Sequence, residues 1–438
     1  MVTIMEQKKS LIFDIEKLSQ NGHAGIPSWF NEVRQKGLDR FKEIGVPTTR
    51  DEEWKYTNLS AVAGRQYRLA PSVSFTRPEA LRDLCMQDDF NVVVINGRLS
   101  PEFSSFENLP RGVAILPLRE ALKSHGEEIR DLLQKYPQDQ EGAFIALNHA
   151  VAADGIFVRI ADETVIEKNI HIIHVTDADG EVITVPRSVI ISGLSSEATI
   201  LESHLAFDDG KTYLAVALTD ILLHDNATLH YCKAQSESRS SYHVGATRVW
   251  QERNSSLDGF SLATGGLITR NDLDVSVNGE GSSSILDGFY AVDKKQLVDN
   301  HTSVDHRVPN CTSNQLYKGI LNGESHAVFN GKIFVRSVAQ QTNSYQLNKN
   351  LILGTNCRVD TKPQLEIFAN DVKCTHGATI GQLNEDEVFY LRSRCISKKG
   401  AIKLLAHGFV DDILSRIKSP SIYRKLHILL EPALATLE

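Results

Sequence analysis

The chain has 438 residues, 41% hydrophobic and 23% charged, a balance ordinary for a globular protein and enough for two or three domains. Its formal net charge of −8 argues against a general nucleic-acid binder. No run of about 18 apolar residues occurs, so no helical membrane span is expected. The N-terminus lacks the apolar core of a signal peptide, and the expected location is the cytoplasm. The six cysteines, Cys85, Cys232, Cys311, Cys357, Cys374 and Cys395, are scattered without a CxxC pair. That pattern fits a reducing compartment. It offers neither a disulfide framework nor a self-contained four-cysteine cluster site.

Residues 1–150 read as a mainly helical N-terminal domain. Ser28 is placed to cap a helix whose apolar positions Trp29, Phe30, Val33, Phe41 and Ile44 lie near helical spacing, and Gly45 with Pro47 stops it. The run 91–95 reads as a short buried strand closed by the turn dipeptide Asn96-Gly97. Leu118, Leu122, Ile129, Leu132 and Leu133 mark one further amphipathic helix. The segment 144–151 then leads to a second turn signal, Asp154-Gly155.

Residues 151–383 read as a β core. Short alternating runs of about four to eight residues dominate, at 156–160, 170–175, 188–191, 227–232, 284–291 and 327–335. A sandwich, a barrel and a parallel β-helix all fit such runs. The β-helix is favoured by recurring polar patches, at 254–256, 278–284 and 322–323, and by a loose internal repeat. Asp258-Gly-Phe260 and Asp287-Gly-Phe289 each follow an apolar residue, about 29 residues apart, the length of one coil.

Residues 384–438 read as a helical C-terminal domain. Asn384 with Glu387 opens a first helix, Ser397 caps a second carrying Ile402, Leu405, Phe409, Ile413 and Ile417, and Ser419-Pro420 starts a third. A block this small buries only a modest core alone, so part of its apolar surface is expected to face the β core or a partner.

The segment Asp371-Val-Lys-Cys374-Thr-His376-Gly-Ala-Thr-Ile-Gly381 carries the candidate site. On a strand, residues i and i+2 point to one side, so Cys374 and His376 share a face. A thiol and an imidazole suit iron, zinc or copper(I), yet two ligands make half a site, which suggests an interface. The alternative is a buried cysteine beside a hydrogen-bonded histidine. His301, His306 and Cys311 also invite a metal reading, against turn and stacking positions on a β-helix surface. Trp54 and Tyr56, with Glu53 beside them, are expected to anchor the N-terminal domain. No GxxxxGK[ST], GxSxG or HExxH motif occurs, so any ATP dependence must come from a partner.

Several long stretches carry a resemblance. They include Pro47-Thr-Thr-Arg-Asp-Glu-Glu-Trp54-Lys-Tyr-Thr-Asn-Leu59, Asp299-Asn-His-Thr-Ser-Val-Asp305-His306, Val328-Phe-Asn-Gly-Lys-Ile-Phe-Val-Arg336, Asp360-Thr-Lys-Pro-Gln-Leu-Glu-Ile-Phe368 and the block 371–381. In that order they resemble the SufB/SufD family of the SUF iron–sulfur cluster assembly machinery, on its SufD side, over nearly the whole chain. The resemblance implies a right-handed parallel β-helix between helical N- and C-terminal domains, and a non-catalytic scaffold subunit. It implies pairing through the β-helix with a SufB-like paralogue and docking of a SufC-like ABC ATPase on the C-terminal helices; a homodimer when the chain is alone stays open from the sequence. It also implies a transient Fe–S cluster or iron at the SufB interface, with His376 as the ligand and Cys374 its neighbour. The family usually has Gly at position 395. Glycine there would suit a helix end with positive φ, so Cys395 is a departure.

Two other classes of β-helix protein compete. A carbohydrate-active enzyme needs paired acids or a Ca²⁺ site in an open groove and is normally secreted. An acyltransferase with a catalytic histidine shows a tight hexapeptide repeat, which this sequence lacks.

Overall fold

A computed structural model describes residues 15–20, 25–71, 78–152 and 154–435. The centre of the chain winds into a parallel β-solenoid of about eight turns. Successive strands alternate between two sheets. One runs from Ile156–Ile160 to Arg358–Ile367, the other from Ile170–Val175 to Val372–Gly381, and neighbouring coils pair in parallel throughout.

The β-helix reading therefore holds, and the chain is mainly β with helices at both ends. Many strands are longer than their alternating runs suggest, reaching 10 or 11 residues as in Thr312–Leu321 and Thr342–Ile352. Polar inward positions break the apolar alternation without breaking the strand.

Corners carry the polar patches. Asn226, Asn254 and Asn310 all adopt left-handed backbone, the conformation asparagine tolerates best after glycine. Asn254 donates to Asn226 Oδ1 one coil away, at 3.2 Å. The Asp-Gly-Phe repeat does mark neighbouring coils, but the register pairs Phe260 with Asp287, not Phe289. The coil there is two residues shorter than the repeat, which preserves which side each residue faces.

One inward column runs the length of the second sheet: Ile170, Ile200, Tyr231, Gly259, Leu286, Gln315, Gln346 and His376 stand in register. Ile170, Ile200, Tyr231 and Leu286 pack against Val249, Val275 and Val304 of the opposite sheet. Two inward glycines make room for aromatic neighbours. A Cβ on Gly319 would lie 1.9 Å from the Tyr290 ring, and one on Gly288 would lie 2.3 Å from Tyr317.

The sheets begin inside the segment read as a helical domain. Phe90–Ile95 adds in parallel to Ile170–Val175, and Val113–Pro117 adds antiparallel to Ile156–Ile160. These additions cover the first coil. The helix Ser28–Ile44 starts after Pro27, and Ser28 is its first residue rather than its cap. The single helix expected from Leu118 to Leu133 is two, Leu118–Ser124 and Gly126–Gln134, broken at His125.

A buried ion network ties the helix Ala143–Val151 to the solenoid wall. Arg187 and Arg248 clasp Asp220 at 2.8 and 2.7 Å, Arg248 also reaches Glu141, and Arg187 meets His149. Each buried charge is paired, the condition under which burial is tolerated.

The C-terminal helices Lys398–Leu414 and Pro420–Ala435 pack on the outer face of the second sheet. Val410, Ile413, Ile422 and Leu426 meet Phe260, Phe289, Leu316 and Ile320. The buried stripe of the first helix is Ala401, Ala406, Val410, Ile413 and Leu414, rotated from the expected one because alanines take part. Lys318 and Asp287 on the wall bind Asp412 and Arg416 on the helix side.

Candidate functional site

The final strand, Val372–Gly381, pairs on one side with Thr342–Ile352, and among the described residues no strand pairs with its other edge. Arg358–Ile367 ends the first sheet in the same way. The solenoid is thus open at this end. Ile367, Phe368 and Ile380 are 38%, 60% and 49% exposed, apolar surface that a further coil would cover.

Cys374 and His376 lie on this strand, facing one side. Cys374 is half-buried against Ile333, Val335, Ala339 and Ala369, and burial pushes its thiol pKa up. It is a protonated neighbour in this state, not a ready thiolate. His376 is exposed. Among the described residues neither belongs to a group of three potential metal ligands, so the pair makes an incomplete site within one chain.

Beneath the pair lie two buried polar ladders, of which the sequence-based candidates contained only His306. Below His376, Gln346 donates to Gln315 Oε1 at 3.1 Å, and Thr302 donates to the same oxygen at 2.8 Å. Below Cys374, the hydroxyls of Ser344 and Ser313 are 2.6 Å apart, and Ser313 reaches His306 Nε2 at 2.9 Å. Gly331 opposite is required, because a Cβ there would lie 2.1 Å from Gln346. The only sequence signal was the polar alternation Ser344, Gln346, Asn348, Asn350, which reads as a solvent-facing strand and is buried instead.

The other histidine group does not converge. His301 and His306 differ by five positions on one strand, which sends them to opposite faces. His301 pairs with Asp299 and Glu53, His306 points inward, and Cys311 is buried against Gly279 and Pro309 carbonyls.

Two family models cover most of the chain. Residues 5–172 match the SufBD protein N-terminal region, and residues 174–409 match the SUF system FeS cluster assembly, SufBD core domain. The chain belongs to the SufBD family. An iron–sulfur cluster assembly SufBD family protein of Synechocystis sp. is 32% identical over 90% of this chain and 88% of its own length. The iron–sulfur cluster assembly protein SufD of Escherichia coli is 29% identical, covering 90% of each chain. The chloroplastic protein ABCI7 of Arabidopsis thaliana is 26% identical over 93% of this chain and 86% of its own. SufBD membership gives the chain a role in SUF iron–sulfur cluster assembly. No helix among the described residues is long and apolar enough to cross a membrane.

The N-terminal stretch 47–59 of this SufBD chain acts as a clamp on the wall. Trp54 lies 5.4 Å from the Phe144 ring and 4.2 Å from the Arg270 guanidinium. Glu53 binds Lys332 and His301, and the hydrogen bond from His301 holds its carboxyl down to about 2. Thr57 donates to the buried Asp299 carboxylate. Cys395, just past the helix Glu385–Ser393, has φ of +64°, the conformation glycine would favour there.

Proposed function

We propose that the chain is a SufD-type, non-catalytic scaffold subunit. Its open last coil docks a SufB-like paralogue, and His376 offers an imidazole to iron or a nascent cluster at that junction. The carrying observation is the coincidence of three features on one coil: unpaired edges on both sheets, exposed apolar residues Ile367, Phe368 and Ile380, and the exposed His376. An incomplete ligand set suits a site that must release its product, and a second subunit supplies the missing ligands. Cys374 becomes a ligand only if docking draws it out of its apolar seat and lowers its pKa.

The helices after Ser397 would receive a SufC-like ABC ATPase. Leu404 and Ile428 are 52% and 65% exposed on the side away from the wall. A cytoplasmic setting fits this role, and neither nucleic acid nor membrane enters it. No cluster is held tightly by the chain alone.

The test is co-expression with the neighbouring SUF genes, purification of the complex, and anaerobic iron and sulfide analysis. In this reading His376→Ala leaves the complex intact and lowers cluster content at least tenfold. Wild-type cluster content in the variant removes the ligand role. Failure of the complex to form makes His376 a structural residue.

A further inference from the structure

A second group of metal-ligating side chains lies inside the solenoid, far from the open end. His174 and His204 stand in register on neighbouring coils, their rings stacked with centroids 4.8 Å apart and 10° between planes. Both project into the lumen, as does Glu202 two residues before His204. Exposures are 4%, 2% and 1%, so water reaches none of them from outside. One ligand atom from each lies within 4.8 Å of the other two.

The local chemistry is that of a built site. Glu202 is fixed by hydroxyls: Ser188 donates to Oε1 at 2.6 Å, Thr219 to Oε2 at 2.8 Å, and Tyr231 also to Oε2. Outer partners of this kind orient a ligating carboxylate. His174 Nε2 is 2.9 Å from Glu202 Oε1. Two ligands held about 2.1 Å from one ion at a right angle lie about 3.0 Å apart, so this pair already has the spacing of neighbouring ligands. With His174 presenting Nε2 beside Glu202, the His204 Nε2 atom is buried without a hydrogen-bond partner among the described residues. An orphaned buried nitrogen requires an explanation, and an ion is one that uses its lone pair.

The lumen is widened at this level. Gly245 faces His243 and Lys233, and a Cβ there would lie 2.6 Å from His243 Nε2 and 2.8 Å from Lys233 Nζ. His243 stands edge-on to His204, with centroids 5.0 Å apart, and its Nε2 also lacks a protein partner. Lys233 stands in register with Glu202, and its ammonium opposes a cation. The carboxylates of Glu202, Asp272 and Glu237 interact with that ammonium and offset its charge.

We propose that this chamber holds one divalent first-row transition-metal ion, ligated by His174, Glu202 and His204. Two imidazoles and one carboxylate are the donor set of Fe²⁺, Co²⁺ and Zn²⁺ rather than of Mg²⁺ or Ca²⁺. The three ligands come from two strands, with His174 28 residues before Glu202, so the site forms only when the coils stack, and loading is coupled to folding. The chamber is six coils from His376. At about 4.8 Å per coil that is roughly 29 Å, too far for one ion to serve both sites.

The experiment refolds the full chain from urea in anaerobic Co²⁺, desalts it, and measures bound cobalt, its visible ligand-field absorption and the imidazole nitrogen couplings in pulsed magnetic resonance. One cobalt per chain with two coordinated imidazoles is expected. Glu202→Gln and His204→Gln should each lower occupancy at least tenfold, while His376→Ala should keep it, which separates this site from the one at the open end. Sub-stoichiometric cobalt in the wild-type chain, or a bound ion with no imidazole coupling, overturns the proposal and leaves water as the partner of these nitrogens. Unchanged occupancy in both Gln variants overturns it as well. The wild-type couplings keep the test decisive if a variant does not fold.

Discussion

One inward column behaves differently at the two ends of the solenoid. At the covered end it is Ile170 and Ile200, fully buried against valines of the opposite sheet. At the open end it is Gln315, Gln346 and His376, buried amides rising to an exposed imidazole. The backbone geometry is the same, since the register is continuous. At the covered end this column is stabilised by apolar burial. The open end exchanges that for a hydrogen-bonded ladder beneath an unfinished coil. An edge left exposed invites pairing, and natural proteins blunt edges that are meant to remain free. The last coil instead keeps Ile367, Phe368 and Ile380 in solvent.

The largest expected effect comes from breaking this contrast by substitution. Ile200→Ala should cost about 2–5 kcal/mol, the range for buried isoleucine truncation. Ile380→Ala at the open end should change stability by less than about 0.5 kcal/mol, as an exposed position does. Urea unfolding of the isolated chain measures both. The second variant should instead weaken co-purification with the proposed SufB-like paralogue. Equal stability losses at the two positions would mean that the last coil is already covered in the isolated chain.

A smaller effect sharpens the comparison through pH. The C-terminal helices are held to the wall midway between the two ends by charged contacts, among them Asp287 with Arg416. Burial raises the Asp287 pKa to about 6, with Arg416 opposing. For an acid raised in the folded state, the unfolded chain loses its proton first as pH rises. Stability therefore falls between about pH 4 and pH 6 and stays lower above that range. Relative to Asp287→Asn, the wild type should lose about 2–3 kcal/mol across this window. A difference between the two proteins that is flat from pH 4 to pH 7 would show that Asp287 is solvated in solution.

The smallest effect lies just beyond the open coil. Cys395 occupies left-handed backbone that a side chain disfavours. Cys395→Gly should raise stability by about 1 kcal/mol, seen as a modest upward shift in thermal midpoint. No gain would show that the helix end relaxes without strain.

Much of the architecture was legible in the residues. Asparagine-rich patches marked the corners, and the Asp-Gly-Phe units marked neighbouring coils. Ser397 and Ser419 marked helix starts, and both hydroxyls accept backbone N–H groups there. Trp54 was readable as an anchor because a large aromatic in a charged stretch must be buried on something. The shared face of Cys374 and His376 followed from strand parity, which is local: side chains alternate whatever the rest of the chain does.

What only the tertiary structure decided is which residues stack. Register depends on coil length, and that varies from 26 residues between Tyr242 and Ile268 to 32 between His326 and Arg358. A one-residue uncertainty at any corner turns an inward residue outward. So Gln346 under His376 and Ser344 under Cys374 were invisible, and His174 beside His204 was only two histidines 30 residues apart. The added strands Phe90–Ile95 and Val113–Pro117 were hidden for the same reason, because their partners are set by the sheets they join. Sequence fixes the period of each strand. The stacking of coils assigns each inward residue its neighbours, and they make one column apolar and buried at the covered end, polar and rising to solvent at the open end.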